Sequence, residues 1–515
     1  MSSKHVVIVG AGPGGLTSAM LLAHRGCRVT VFEKEPVVGG RNAAITEAGY
    51  TWDTGPTFLM MSYILKEMFQ ETGRKVEDYL HFTALDPLYR LVLGDMDFRP
   101  SPDAAKMRAR IAEAFPGNET GLDRFLTKER TRYERLFPCL QKDYSSLRAF
   151  LDPIFLKAAP QLGLGRSLFD NLGRYFAPDR LKLCFTFQAK YLGMSPWQCP
   201  ALFTMLSFIE HAFGILHVRG GLNKISEAMA KVAREEGAEI HLGAPVRKLL
   251  LEGRRVVGVE MESGGKVAAD AVFVNADFGH AMKTLVPPGV LRKYAPERLG
   301  RLKVSCSTFM LYLGVKKRYD HLPHHSILFA DDYRRNITEV ADRLVLSADP
   351  SIYVQNASPT DPTLAPEGCS TIYILVPVPN NRGRIDWARE GDAFRDRVLE
   401  LAERRGGYAG LRESIAVERR TTPADWENSH GVFEGATFNL AHNFGQLLYF
   451  RPHNRFQELE NCWLVGGGTH PGSGLPTIYE SARISANSFC RAFGLGYSVP
   501  SSVGNKELVR PEPPV

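Results

Sequence analysis

A run of β-branched apolar residues, Val6-Val7-Ile8-Val9, passes without a break into Gly10-Ala11-Gly12-Pro13-Gly14-Gly15-Leu16, and this junction restricts the possible folds more than any other part of the chain. A continuous apolar run of this kind fits a strand buried on both faces of a parallel sheet. The glycines that follow have separate tasks: Gly10 permits the tight turn, Gly12 lets backbone approach a pyrophosphate, and Gly15 lets the next helix pack close to the strand. Gly14 completes the loop. Leu16, Ala19, Met20 and Leu22 give that helix an apolar side, and the N–H groups of its first turn point at whatever anion sits in the loop. A second strand, Arg28 to Phe32, ends in Glu33, roughly the ~20 residues past the glycines at which a carboxylate accepts hydrogen bonds from a ribose 2′-OH.

A chain with 47 glycines produces such loops by chance. The order of strand, glycines, helix, second strand and acid therefore carries the reading of a bound dinucleotide over that of a bare turn. Gly39-Gly40-Arg41 then adds amide donors and a guanidinium a few residues beyond Glu33, suited to a second approach to the pyrophosphate. That addition favours FAD over NAD. Asp53 and Gly55 lie in the turn-rich stretch Gly49 to Thr57, read as a cofactor-contacting loop in preference to a surface turn.

At 515 residues the chain exceeds what one simple core supports, and two domains, discontinuous in sequence, are expected. The expected class is α/β: a Rossmann-like FAD-binding domain from residues 1–100, 213–300 and 455–495, with a helical region at 101–212 and an inserted α+β substrate domain at 301–454. The formal charge of +7 is spread among similar numbers of acids, which gives no basic patch for nucleic acid. Eight scattered cysteines without a CxxC pair fit free thiols in a reducing compartment better than disulfides or zinc. No charged-then-apolar leader precedes the first strand, and no segment reaches the ~20 apolar residues of a membrane span. Any membrane contact is therefore expected from one side, the cytoplasmic face.

Helical patterns run from about residue 103 to 212. In the piece Leu151 to Leu164, leucines mix with Lys157 and precede Arg166, a pattern that serves either an interfacial membrane anchor or core packing. Pro200 to Val218 reads as a buried helix able to line an apolar cavity. Beyond Arg219-Gly220-Gly221 come a helix from Asn223 to Gly237 and strands at Ala238 to Leu242, Val256 to Glu260 and Val267 to Val274, returning to the nucleotide sheet at Asn275-Ala276-Asp277. Val246 is placed to meet an adenine ring. Phe309 to Gly314, Ser351 to Val354 and Ser370 to Val376 read as strands of the substrate domain, and the tail after Gly496 as disordered.

Near the C-terminus, Cys462-Trp463-Leu464-Val465 runs into Gly466-Gly467-Gly468-Thr469-His470-Pro471-Gly472-Ser473-Gly474, and a helix from about Ile478 to Arg491 follows. A second helix N-terminus aimed at the same anionic cofactor would hold its middle and ring ends. With Gly10 to Gly15, Glu33, Gly39-Gly40-Arg41, His324-His325 and Phe450-Arg451-Pro452-His453-Asn454, these residues resemble the bacterial-type phytoene desaturases of carotenoid biosynthesis, in the FAD-dependent amine oxidase-like superfamily. The resemblance spans about residues 5 to 492.

It implies an FAD enzyme that removes hydrogen from a long isoprenoid such as phytoene or dehydrosqualene, reached through an apolar tunnel from a membrane surface, with quinone or oxygen as electron acceptor. It implies flavin contacts at Gly467, Gly468, Thr469, Gly472 and Gly474. Relatives that oxidise a terminal methyl of a carotenoid stay open as an alternative, because Gly474 to Arg483 departs from the commoner GIPxVxxSAK form. A carrier of prenylated partners without redox chemistry is disfavoured by the intact glycine loop. Proton removal needs a base within reach. His470, His453, Asp152 and Glu210 are the candidates, each with a structural role of equal standing.

Overall fold

The computed structural model describes residues 3–498, without the side chains of 190–192; most of the tail expected to be disordered lies outside the described residues. Its centre is a five-stranded parallel sheet in the order Cys462–Leu464, Ala271–Val274, His5–Val9, Arg28–Phe32, Glu239–His241. Every residue of the opening strand is buried. Val6 and Ile8 enter the core under the helix Pro13–His24, and Val7 and Val9 enter a second core on the other face. That two-sided burial explains an unbroken apolar run where a half-exposed strand would alternate. The helix Pro13–His24 is flanked by two others, Asn223–Glu235 and Leu475–Phe493.

A seven-stranded sheet forms the second layer, in the order Ile415–Thr421, Ser307–Val315, Ser370–Val378, Ile352–Asn356, His325–Leu328, Arg90–Leu93, Met96–Phe98. Arg90 to Phe98, assigned above to the nucleotide domain, instead extends this sheet, with Arg90–Leu93 parallel to His325–Leu328. Side chains alternate across it. Phe309, Leu311, Ile352, Val354, Ile372 and Ile374 pack under the helix Trp387–Arg404, and Tyr312, His325, Tyr353 and Tyr373 occupy the opposite face.

Two expected elements differ. Pro200 to Val218 is not one helix: Thr204–Phe213 is helical, Gly214 leaves it at φ 70°, and Leu216–Val218 becomes a strand paired with Phe82–Ala84. Val267 to Val274 divides between two sheets, and at the crossover the Asp270 carboxylate accepts the His5 N–H (2.8 Å). Among the described residues no helix is long and apolar enough to cross a membrane.

Candidate functional site

The two glycine-rich loops meet. A Cβ on Gly15 would lie 2.1 Å from the Gly10 carbonyl oxygen, and one on Gly14 would lie 2.6 Å from Val465 Cγ1 and 3.1 Å from Ile478 Cγ2. Gly15 thus sets the approach of helix to strand, and Gly14 joins the N-terminal loop to the C-terminal one. Gly12, by contrast, faces only the Asn275 amide at 3.1 Å and the Gly39 carbonyl at 3.9 Å. Asn275 is the shared hub: its Nδ2 donates to Gly10 O (3.1 Å), and its side chain touches the positions a Cβ would take on Gly12, Gly14, Gly15 and Gly466.

The Glu33 side chain is buried at the end of its strand and accepts from the Ala11 N–H (2.7 Å) and the Glu35 N–H (3.0 Å). The Glu33 carbonyl accepts from Ala244 N (2.8 Å), which ties the half-buried Val246 at the head of its strand to this corner. Gly39 (φ +113°) and Gly40 (φ +53°) form a left-handed turn whose Gly39 N–H donates to Ala11 O at 2.9 Å. Arg41 donates to Thr437 O (2.8 Å) and lies 3.8 Å from Asp277. With its amide oriented by these neighbours, Asn439 donates to Asp277 Oδ2 (2.7 Å) and accepts from Arg41 Nη2 (3.0 Å).

Neither helix that starts in this cradle, Pro13–His24 or Leu475–Phe493, has a side-chain cap or an acid in its first turn. Uncapped N–H groups at two helix starts behind glycine turns suit a dinucleotide anion. With Glu33 buried beside the glycine loop, the residues present fit FAD.

At the far end Arg451 is fully buried and donates to five main-chain carbonyls, Gly467 (2.6 Å), Thr469 (3.0 Å), Gln446 (3.2 Å), Leu440 (3.4 Å) and Ala441 (3.5 Å). Burial pulls its pKa down to about 9. It braces the Gly467–Gly472 loop from behind, and a Cβ on Gly472 would sit 2.6 Å from the His442 ring and 3.9 Å from the guanidinium carbon. Gly474 starts the last helix at φ +115° and Gly468 packs on Phe278. The motif Phe450 to Asn454 was legible as specific, but Arg451's part in it was not, because its partners are main-chain atoms.

The four proposed bases are held in four different settings. His470 is buried with its ring edge against Tyr144 (5.2 Å between centroids), and burial followed by the Arg451 charge pushes its pKa down to about 3. His453 hydrogen-bonds the Tyr449 carbonyl (2.9 Å), and burial lowers its pKa. Asp152 caps the helix Pro153–Ala158 through Ile154 N (2.8 Å) and pairs with Lys142, which holds its carboxyl below the usual range. Glu210 accepts from Gln188 Nε2 (2.6 Å) and Tyr89 OH (3.1 Å) in a sealed pocket. The structure sets His470 and His453 near enough for their charges to interact but does not bring all four together.

The stretch Gly49 to Thr57 leads from the Arg41 turn to the large sheet. A Cβ on Gly55 would lie 2.6 Å from Arg41 O. Three tyrosines of one sheet face hold the segment: Tyr312 OH donates to Thr54 O (2.7 Å), Tyr373 OH donates to Gly55 O (2.9 Å), and Tyr353 OH lies 2.6 Å from Thr57 Oγ1. Asp53 accepts from Asn223 N (3.2 Å), and burial raises its pKa to about 6. The sequence concealed these contacts, since they join strands some 300 residues apart.

The family described as flavin containing amine oxidoreductase matches residues 13–488. A 4,4'-diapophytoene desaturase (4,4'-diapolycopene-forming) of Methylomonas sp is 52% identical over 485 residues, covering 94% of this chain and 95% of that one. A zeta-carotene-forming phytoene desaturase of Myxococcus xanthus is 39% identical, covering 93% of each. Among solved structures, an oxidoreductase of Methanosarcina mazei aligns with TM-score 0.61 at 18% identity, over 93% of this chain and 99% of that one, a likeness of fold.

Proposed function

The chain belongs to the flavin containing amine oxidoreductase family and is an FAD-dependent carotenoid desaturase, and from that premise we propose that its substrate is the C30 isoprenoid 4,4'-diapophytoene. The observation that carries the choice of chain length is the 52% identity, across almost the whole of both chains, to a desaturase named for that substrate. Bound FAD supplies the acceptor for two electrons and a hydride, which no side chain provides.

The residues supply the rest. Glu33, the Gly39–Arg41 turn and the two helix starts hold the dinucleotide. Aromatic and aliphatic groups that are only partly buried along the main core, among them Phe58, Met60, Tyr63, Phe213, Leu216 and Leu448, supply an apolar lining that keeps water from a hydrocarbon. A separate cavity of about 480 Å³ beside Asp97, Arg99, Arg110 and Glu113 is lined by charges and does not suit such a chain.

Substrate entry follows from exposure. Leu147, Leu151, Leu156 and Leu164 are 60, 73, 56 and 68% exposed, interleaved with the exposed Arg148, Lys157 and Arg166. Leucines facing water beside basic residues suit one-sided attachment to the headgroup layer of a membrane, on its cytoplasmic face. The opposite faces of the same elements, Phe150, Ile154, Phe155 and Leu162, pack against the main core. The attachment surface and the apolar interior are thus continuous.

The purified protein should carry a flavin absorption band. Given in liposomes, 4,4'-diapophytoene should be converted to longer conjugated products, phytoene more slowly, and a finished polyene not at all. Exclusive turnover of the finished polyene, to an aldehyde or alcohol, would assign the chain to methyl oxidation.

A further inference from the structure

Three tyrosines grip the segment Thr54 to Thr57, but only two of them end on main-chain carbonyls. The third, Tyr353, ends in a network of exchangeable protons: its hydroxyl lies 2.6 Å from Thr57 Oγ1 and 2.8 Å from His325 Nδ1. Tyr312 and Tyr373 are fully buried clamps, whereas Tyr353 keeps part of its surface open and packs with the partly buried apolar groups of the main core. Phe58 stands edge-on to the His325 ring, 5.3 Å between centroids, so this hydroxyl and imidazole adjoin the apolar lining. His325 Nε2 is buried and has no hydrogen-bond partner among the described residues. His324 Nδ1 lies 3.0 Å from Thr360 Oγ1, and His217 Nε2 is 2.9 Å from Asp361 while its Nδ1 is likewise unpartnered among the described residues, so what sets His325 apart in this buried cluster is its contact with a phenol hydroxyl. A clamp needs no imidazole behind it, and burying one with an unmet nitrogen is costly.

We propose that Tyr353, backed by His325, takes the proton that leaves the isoprenoid chain during desaturation. Each new double bond removes two hydrogens from a CH–CH unit. Bound FAD would supply the acceptor for a hydride, that is one carbon's hydrogen with the electron pair of its C–H bond; the neighbouring carbon loses a proton, and the electron pair of that second bond becomes the π bond. The phenol oxygen receives the proton as its own hydrogen moves to His325 Nδ1. Loss of hydride from an allylic carbon leaves a cation whose adjacent C–H is strongly acidic, so a neutral base suffices. Burial, and then His217, hold the His325 pKa down to about 3. The imidazole is therefore uncharged before the step, and the proton it takes on Nδ1 returns through the partly buried Tyr353 hydroxyl to water that enters as the product leaves.

This assignment rests on the desaturase reading, and the two fail separately. A wild-type protein without a flavin band or without C30 products removes the reading itself. Given an active wild type, anaerobic single turnover of 4,4'-diapophytoene in liposomes is followed by loss of the flavin band. Tyr353→Phe should keep FAD content and melting temperature and slow the reaction by ~100-fold, within the range for a lost general base. It should also show an enlarged isotope effect from deuterium at the proton-losing carbon, which a merely structural role would leave alone.

His325→Asn, which keeps an acceptor for the phenol and removes the basic nitrogen, should slow the reaction in the same way and covers a Tyr353→Phe protein that does not fold. Independently of turnover, wild-type protein labelled with ¹⁵N in its imidazoles should show His325 Nδ1 as the unprotonated, hydrogen-bonded nitrogen. A rate within twofold of wild type in a folded variant, an unaltered isotope effect, or a protonated Nδ1 would overturn the assignment.

Discussion

Asp53 shows how a single buried group makes this site sensitive to pH. Burial raises its pKa from 3.8 to about 6, against the milder downward pull of His217 and the Asn223 N–H. The folded protein therefore holds a proton here that the unfolded chain releases, so this group's contribution is full below about pH 4 and is lost as pH rises through about 6. At about 1.4 kcal/mol per pH unit, ionising the carboxyl costs the fold on the order of 3 kcal/mol. Asp53→Asn keeps the acceptor for Asn223 and cannot ionise. Denaturant unfolding should find the variant more stable than wild type at pH 7.5, with the gain shrinking towards zero at pH 4.5. An equal difference at both pH values would show that ionisation is not what Asp53 contributes. Glycine roles divide at the same scale. Gly10, at φ +98°, and Gly15, whose Cβ would lie 2.1 Å from the Gly10 carbonyl oxygen, were legible because turn conformation and helix approach are local to the loop. Gly14 was legible only as part of a motif, since Val465 and Ile478, which fix it, come from the other end of the chain.

Among the elements, strands buried on both faces, whose apolar runs are unbroken, were read well. The opening strand and the strands Ser307–Val315 and Ser370–Val378 fall within two residues of their expected bounds. Elements decided by a turn were not: Gly214 ends a helix inside the apolar run Pro200 to Val218, and apolarity alone does not distinguish a buried helix from a buried strand. The stretch Leu151 to Leu164 belongs to the same difficulty, since its leucines fit core and surface alike until exposure separates them. The short helices Leu147–Leu151 and Pro153–Ala158 turn Leu147, Leu151 and Leu156 to solvent. Burying a leucine is worth about 1.5–3 kcal/mol. Replacing Leu151, Leu156 and Leu164 together with Glu should therefore lower co-sedimentation with phospholipid vesicles at least tenfold. Melting temperature should hardly change, because exposed positions contribute little to the fold. Undiminished vesicle binding would place the attachment surface elsewhere.

Over the whole molecule, the cofactor cradle is built from segments that lie together only in the folded chain. The central sheet takes its strands from residues 5–32, 239–274 and 462–464, and the glycine loops at 10–15 and 466–474 meet at Asn275, with Gly39 packed beside Gly12 and Arg451 bracing the C-terminal loop from behind. Two helix starts without side-chain caps leave this arrangement short of stabilising partners until a dinucleotide joins the halves. The seven-stranded sheet has its own core under Trp387–Arg404 and no such dependence. Binding to the native state alone stabilises by about 2.7 kcal/mol at a free concentration one hundred times Kd. Stripping FAD should accordingly lower the melting temperature by several degrees. In hydrogen exchange the loops at 10–15, 39–41 and 467–474 should lose protection together, while Ser307–Val315 and Ser370–Val378 keep theirs. Adding FAD back should restore all three loops at one concentration. If the C-terminal loop stayed protected while the N-terminal loops opened, the two halves would not be coupled through the cofactor, and the cradle would be a single N-terminal site with a preformed wall.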